Sequence, residues 1–335
     1  MPAGLGGSGY LAIKHETTMG TYLPPTTAGT LFVPILSESL QYTEDKYYSE
    51  QIRQAVIESE QKQSYYHAEG DVTMEVDTAF LPYFLYCSRF TPTKTGAGSP
   101  WTYKFVPSTA GSASTAAGTT TRKTASISVI RNGIGFGYGG CVIGGWEFSI
   151  EDGNLRVTMN VLGLSETTPA GLGAPAWVAA KLLGADAHQV SVDVAGATPA
   201  FASPSTNFNG YSVNINHNAE AQNRIRRDRS ASYIRYGKTE ATLETELDFE
   251  DKTEYDNFKN STKKAYRLES IGDGAAYAAS TDALRIDFNR ASYDSYELGL
   301  GGMEELIMAQ VNARALGIAG GDALSIEVKS SLDIT

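Results

Sequence analysis

The chain has 335 residues and a formal net charge of −11, long enough for two domains of about 150 residues, each able to bury its own core. So acidic a chain lacks the Lys and Arg surplus that general nucleic-acid affinity or binding to anionic membrane surfaces requires. Two cysteines, Cys87 and Cys141, are too few for a secreted disulfide framework and read as buried thiols in a reducing compartment. The first nine residues have neither the basic nor the apolar region of a signal peptide, and no apolar run reaches the length of a membrane span. The expectation is a chain made in the cytoplasm and soluble there.

In chain order, the first predicted strand is 31–42, followed by a long polar loop over 43–69 and then Gly70. A strand over 71–77 places Val72, Met74 and Val76 on one face and Asp71, Thr73 and Glu75 on the other. A helix is predicted over 78–88, capped by Asp77 and burying Leu81, Phe84 and Leu85. Pro82 fits there only in the first turn. Period-two alternation returns at Ala125, Ile127 and Val129, and again at Leu155, Val157, Met159 and Val161. After a Thr/Pro/Gly/Ala stretch at 167–175 come Tyr211, Val213 and Ile215, then a polar loop over 218–232 and Gly237. A strand over 238–248 alternates Ala241, Leu243, Thr245 and Leu247 with Glu240, Thr242, Glu244 and Glu246. A second helix is predicted over 251–259, with Asp251 and Glu254 as a capping box and Tyr255 and Phe258 on one face. Ile307, Ala309, Val311 and Ala313 supply a last alternating run. Strands with one apolar and one polar face are those of antiparallel sandwiches and barrels, so the fold class is mainly β.

Both halves run strand, polar loop, glycine, strand, helix, strands. Each also has glycines before a late long strand: Gly139, Gly140, Gly144 and Gly145 in one, Gly299, Gly301 and Gly302 in the other. The chain therefore reads as a tandem duplication: residues 1–166, a linker over 167–189, and residues 190–335. Each module is a β-sandwich or partial barrel with one flanking helix.

This element order resembles the tail tube proteins of long-tailed bacteriophages, and within them the large two-part tube proteins of non-contractile tails. The likeness is carried by residues 4–10, 32–40 (FVPILSESL), 68–75 (AEGDVTME), 139–144 (GGCVIG) and 247–255 (LDFEDKTEY). The resemblance implies a structural virion protein rather than an enzyme, with no cofactor. Such proteins form rings whose inner strands join into a continuous barrel, and the rings stack into a tube through which double-stranded DNA passes into the host. It also implies homotrimeric, pseudo-hexameric rings in preference to hexamers. The implied setting is a virion tail assembled in the host cytoplasm, with tail tip, tape measure and tail terminator proteins as partners.

A conduit must hold DNA without binding it, so an acidic or neutral wall suits it. Asp71 and Glu75, with Glu240, Glu244 and Glu246, are the candidate lumen-facing carboxylates. The loop 43–69 sets Tyr47, Tyr48, Tyr65 and Tyr66 among Glu44, Glu50 and other acids. Its counterpart carries Arg224, Arg226, Arg227 and Arg229. Tyrosine is an interface residue, and loops of opposite charge meeting between subunits or rings would fix their register.

Residues 133–140 (GIGFGYGG) have the look of a nucleotide loop, but they lead into a strand rather than a helix and read as a hairpin or bulge. His15, His67, His188 and His217 show no metal-ligand spacing, and no nucleophile motif occurs. The alternatives are another virion β-protein, for decoration or host binding, and a carbohydrate-active β-enzyme built on a carboxylate pair.

Overall fold

The computed structural model describes residues 9–49, 57, 60–108, 112–113, 123–179, 181–201, 203–274, 276–299 and 306–334. Glu50, Gly301, Gly302 and residues 4–8, singled out above, lie outside that set. The elements of the first half are β1 (Tyr10–His15), β2 (Leu31–Val33), β3 (Ser37–Glu38), β4 (Gln41–Tyr48), β5 (Gln61–Glu75), α1 (Leu81–Leu85), β6 (Phe90–Thr95), β7 (Trp101–Pro107), β8 (Ser112–Ala113), β9 (Ala125–Arg131), β10 (Ile134–Glu151), β11 (Asn154–Gly163) and β12 (Ser165–Thr167). The second half follows with β13 (His188–Val194), β14 (Phe208–Asn216), β15 (Ala219–Gln222), β16 (Tyr233–Tyr236), β17 (Glu240–Asp248), α2 (Thr253–Lys259), β18 (Lys264–Ile271), β19 (Ala283–Leu298), β20 (Met308–Ala315) and β21 (Leu324–Ser330). The fold is mainly β, in large antiparallel sheets.

Two long strands organise it. The second part of β10 pairs with β11 and β14, while its first part pairs with β9 and β12. Likewise, the second part of β19 pairs with β20, and its first part with β18 and β21. Each strand thus passes from an outer layer into one shared central sheet, whose order is β4-β5-β11-β10-β14-β17-β20-β19, with β3 beside β4 on β5. The outer layers are β2-β1-β9-β10-β12 and β6-β7-β21-β19-β18-β13. Bulges in β10, at Tyr138/Cys141 and Ile143/Gly145, bend it between layers. Residues 133–140 are thus a hairpin turn and the start of a bulged strand. The hairpin turns into and out of β10 are Asn132-Gly133 (φ 51° and 75°) and Asp152-Gly153 (φ 50° and 77°), the Asn-Gly and Asp-Gly pairs that tolerate two left-handed residues.

One hydrophobic core fills the space between layers. It joins Val72, Met74, Val157 and Trp146 of the central sheet to Leu11, Ile127 and Val129, and Val213 and Leu243 to Leu268, Ile286 and Ile326. The outward residues Ser126 and Ser128 are buried too, because the segment after β1 covers them. Glu16 accepts the Ser126 hydroxyl at 2.8 Å, and Tyr22 shares a 2.7 Å hydrogen bond with Ser128.

Several predicted elements change form. The strand expected over 31–42 is broken into β2, β3 and the start of β4. The loop expected over 43–69 is largely a β-hairpin arm of β4 and β5, registered Tyr42↔Ala68 through Tyr48↔Gln61. Its polarity reflects solvent on both faces rather than absence of strand. The first helix shrinks to five residues, with Pro82 in the first turn and every side chain buried. Asp77 does accept a cap-like bond, from the Ala79 N–H at 2.8 Å. The second helix begins at Thr253, with Lys252 at its cap position. Asp251 accepts the Thr253 N–H at 2.7 Å, but Glu254 takes the Tyr293 hydroxyl instead of closing a capping box. Tyr255 and Phe258 share one face, both packed on Tyr296. The glycines 139–145 lie within β10, whereas Gly299 follows β19, so these do not correspond.

Gly70 and Gly237 do occupy matching places, each where an arm leaves the central sheet. A Cβ on Gly70 would lie 2.5 Å from the Leu40 Cα, and one on Gly237 would lie 2.9 Å from the Asn218 Cβ. At Gly70 two backbones cross too closely for any side chain, whereas at Gly237 the crowding comes first from the Asn218 side chain and then from its carbonyl oxygen at 3.1 Å.

Candidate assembly and conduit surfaces

The face of the central sheet turned away from the core is polar from edge to edge, and register fixes which residues share it. One row runs Asp71, Asn160, Gly145, Asn216, Glu240. The next runs Thr73, Thr158, Glu147, Asn214, Thr242, Arg314, and a third runs Glu75, Arg156, Ser149, Ser212, Glu244, Asn312. Beyond these, Glu246, Gln310 and Glu297 align. The five carboxylates singled out in the sequence therefore stand on one continuous surface although they come from both halves. Glu147 and Glu297, which alternation did not single out, stand with them.

Acid dominates this face. Its cations are held by neighbouring carboxylates: Arg156 by Glu151, and Arg314 by Asp294 at 3.1 Å and Glu240 at 4.0 Å. Amides tie down two of the acids, Asn160 donating to Asp71 at 3.1 Å and Asn312 to Glu244 at 3.3 Å. Among the described residues, no group of three His, Cys, Asp or Glu is placed to hold a metal ion.

Two arms rise from one end of this sheet, β4–β5 and β15–β16. Tyr47 and Tyr48 lie exposed near the tip of the first. Tyr65 and Tyr66 are half-buried lower on its second strand. The Tyr66 ring stacks on Tyr42 with centroids 4.8 Å apart, and the Arg229 guanidinium lies 5.7 Å from that ring. Arg229 donates to Glu44, to Gln63 Oε1 at 2.6 Å, to the Ser64 carbonyl at 2.9 Å and to the Tyr42 hydroxyl at 3.2 Å. Backbone bonds on either side, Tyr66 N–H to the Arg229 carbonyl and Ala231 N–H to the Tyr66 carbonyl, both 3.0 Å, complete the joint. The Glu44 side chain is only 7% exposed, so this pair is a clasp between the arms of a single chain. Part of the acid–base complementarity expected between subunits is thus satisfied within one protomer. Sequence spacing carried no sign of it, because residues 44 and 229 belong to different halves.

The other arginines behave differently. Arg226 turns back on its own loop, donating to the Ser230 carbonyl at 2.7 Å and to the Ala231 carbonyl at 3.0 Å. Arg224 covers the Tyr233 ring at 4.8 Å. Arg227 is exposed.

The cysteines lie elsewhere, both free and buried. Burial pushes both thiols well up, Glu16 adding to the effect, which disfavours the thiolate form.

A family model described as phage tail tube protein matches residues 6–327. No curated protein matches the chain. With nearly its whole length spanned by that one model, the chain belongs to the phage tail tube protein family and is a structural component of the phage tail.

Proposed function

We propose that three copies of this chain close into a pseudo-hexameric ring, and that such rings stack into the tube of a long non-contractile tail through which double-stranded DNA enters the host. The observation that carries this reading is a recurrence within the central sheet. The order β3/β4, β5, β11, β10 is followed by β14, β17, β20, β19, and β10–β14 joins the two sets. The outer pairings β1–β9, β9–β10 and β10–β12 likewise match β13–β18, β18–β19 and β19–β21.

Two modules, residues 1–166 and 190–335, with 167–189 between them, account for this order. Among the described pairings, β4 and the second part of β19 are each bonded on one side only. Such edges are templates for strand addition from a neighbouring chain. Joining β19 of one copy to β3/β4 of the next three times closes a barrel, six modules round, without leaving an edge. The acidic face then lines the channel and repels phosphate, keeping the duplex mobile. Tail tip, tape measure and terminator proteins would meet the ends of the tube, and assembly would take place in the host cytoplasm. An enzymatic role finds no support in the way these carboxylates are held, in rows along an open sheet and tied by amides.

Negative-stain microscopy of the concentrated protein tests the reading. Hollow filaments of uniform width, with three chains per ring by mass measurement, are expected. Six chains per ring would replace the trimer by a hexamer, and monomers at every concentration would overturn the proposal.

A further inference from the structure

The two halves of the central sheet repeat one another in register. Each long strand carries a bulge at the same point of its pairing: β10 between Ile143 and Gly145, opposite Val161 and Asn160, and β19 between Tyr293 and Ser295, opposite Ala313 and Asn312. The asparagine opposite each bulge donates to the acid on the next strand, Asn160 to Asp71 and Asn312 to Glu244. On the far side of those acids, Ser37↔Thr73, Gln41↔Glu69, Tyr42↔Ala68 and Thr43↔His67 have the same spacing as Gly210↔Glu246, Asn214↔Thr242, Ile215↔Ala241 and Asn216↔Glu240. Residues 295–298 therefore stand where 145–148 stand in the first half, and residues 40–43 stand where 213–216 stand in the second.

Within the chain, β10 meets β14 through Gly145↔Asn216, Trp146↔Ile215, Glu147↔Asn214 and Phe148↔Val213. We propose that β19 of one copy meets residues 40–43 of a second copy in that same register: Ser295↔Thr43, Tyr296↔Tyr42, Glu297↔Gln41 and Leu298↔Leu40. This rests on the tube reading and deepens it by fixing which residues face each other at the joint. The residue classes agree at each step. An acid faces an amide in both joints, Glu147 opposite Asn214 and Glu297 opposite Gln41, and apolar or aromatic side chains face one another on the core side. Exposure differs in the direction that a missing neighbour requires. Phe148 and Ile215 are fully buried at the joint inside the chain, whereas their counterparts Leu298 and Tyr42 are 45% and 39% exposed. A second copy in this register would cover both, removing apolar surface from water. A slip of one residue would set Glu297 opposite Tyr42 or Leu40 and turn one strand's apolar face outward.

Disulfide capture in assembled protein tests the register. Gly145↔Asn216 lies beside the 2.9 Å bond from the His217 N–H to the Gly144 carbonyl. It is therefore a non-hydrogen-bonded pair, whose side chains approach closely enough for a disulfide. Thr43→Cys/Ser295→Cys should accordingly link chains into dimers and trimers on mild oxidation, about tenfold faster than Gln41→Cys/Ser295→Cys or Thr43→Cys/Glu297→Cys, each displaced by two residues. Positions 43 and 295 lie on opposite edges of their own sheet, so such a link joins two copies. Wild-type protein, with Cys87 and Cys141 buried, should stay unlinked. A charge exchange at exposed positions reads the same register without cysteines. Gln41→Glu should raise the concentration needed for rings about threefold by facing Glu297, and adding Glu297→Lys should restore it. Equal capture of a displaced pair, assembled 43/295 variant that does not link, or no rescue by Glu297→Lys would overturn the register and leave the tube reading intact. Wild-type protein that forms neither rings nor tubes would overturn both.

Discussion

At the scale of single residues, the clasp between Arg229 and Glu44 joins segments nearly two hundred positions apart in sequence. Removing the guanidinium leaves a buried carboxylate without its ion partner, which is costly, although the half-exposed arginine moderates the loss. Arg229→Ala should therefore destabilise the protomer by about 1–3 kcal/mol, read as a lower midpoint in urea. A midpoint unchanged within error would show that the arms are held by backbone pairing alone. His15 gives a second residue-level prediction. It stacks on Tyr83 with centroids 3.5 Å apart and donates from Nε2 to the Tyr83 carbonyl at 2.9 Å. Burial lowers its pKa to about 3. With the folded value below the unfolded one, the unfolded chain binds the extra proton, so stability is full above about pH 6.5 and is lost as pH falls towards 3. Denaturant midpoints at pH 7 and pH 4.5 should differ more for the wild type than for His15→Gln.

At the scale of elements, the two helices are not equivalent. Helix α1 is buried at every position, with Phe84 in the main core, whereas α2 has no buried residue and meets β19 chiefly through Tyr296. Phe84→Ala should cost about 3–5 kcal/mol, and Phe258→Ala should cost far less, as thermal melts of the pair would reveal. The β4–β5 arm is peripheral to the core, so deleting residues 47–63 should leave a folded, soluble protomer. That protomer should fail to form tubes, and tubes of normal length from the deletion variant would show that the arm is not an assembly element. The alternation of β5, β11, β14, β17 and β20 was legible in the sequence because each has one face in the core and one in water. The arm was not, since a hairpin wet on both faces has no reason to alternate.

For the whole molecule, the candidate conduit surface is a product of register. Asp71 and Glu75 reach the same face as Glu240, Glu244 and Glu246 only because β10 and β14 pair across the halves. If that face lines a channel, replacing all five with lysine should give tubes that retain double-stranded DNA at low salt and release it as salt rises, by counterion release. Filter binding of assembled tubes would read it, and wild-type tubes should retain none.

Composition and period-two patterning alone determined the class of this protein: mainly β, acidic, with two buried thiols and the inward face of most strands. Those properties are local, set by the alternation of side chains along each strand and by the partitioning of apolar groups away from water. Only the tertiary structure decided which strands adjoin across the two halves, that one sheet carries both sets of carboxylates, and that Arg229 is clasped to its own chain. Those are pairings between residues far apart in sequence, and no local pattern encodes the partner of an edge strand or of a charge.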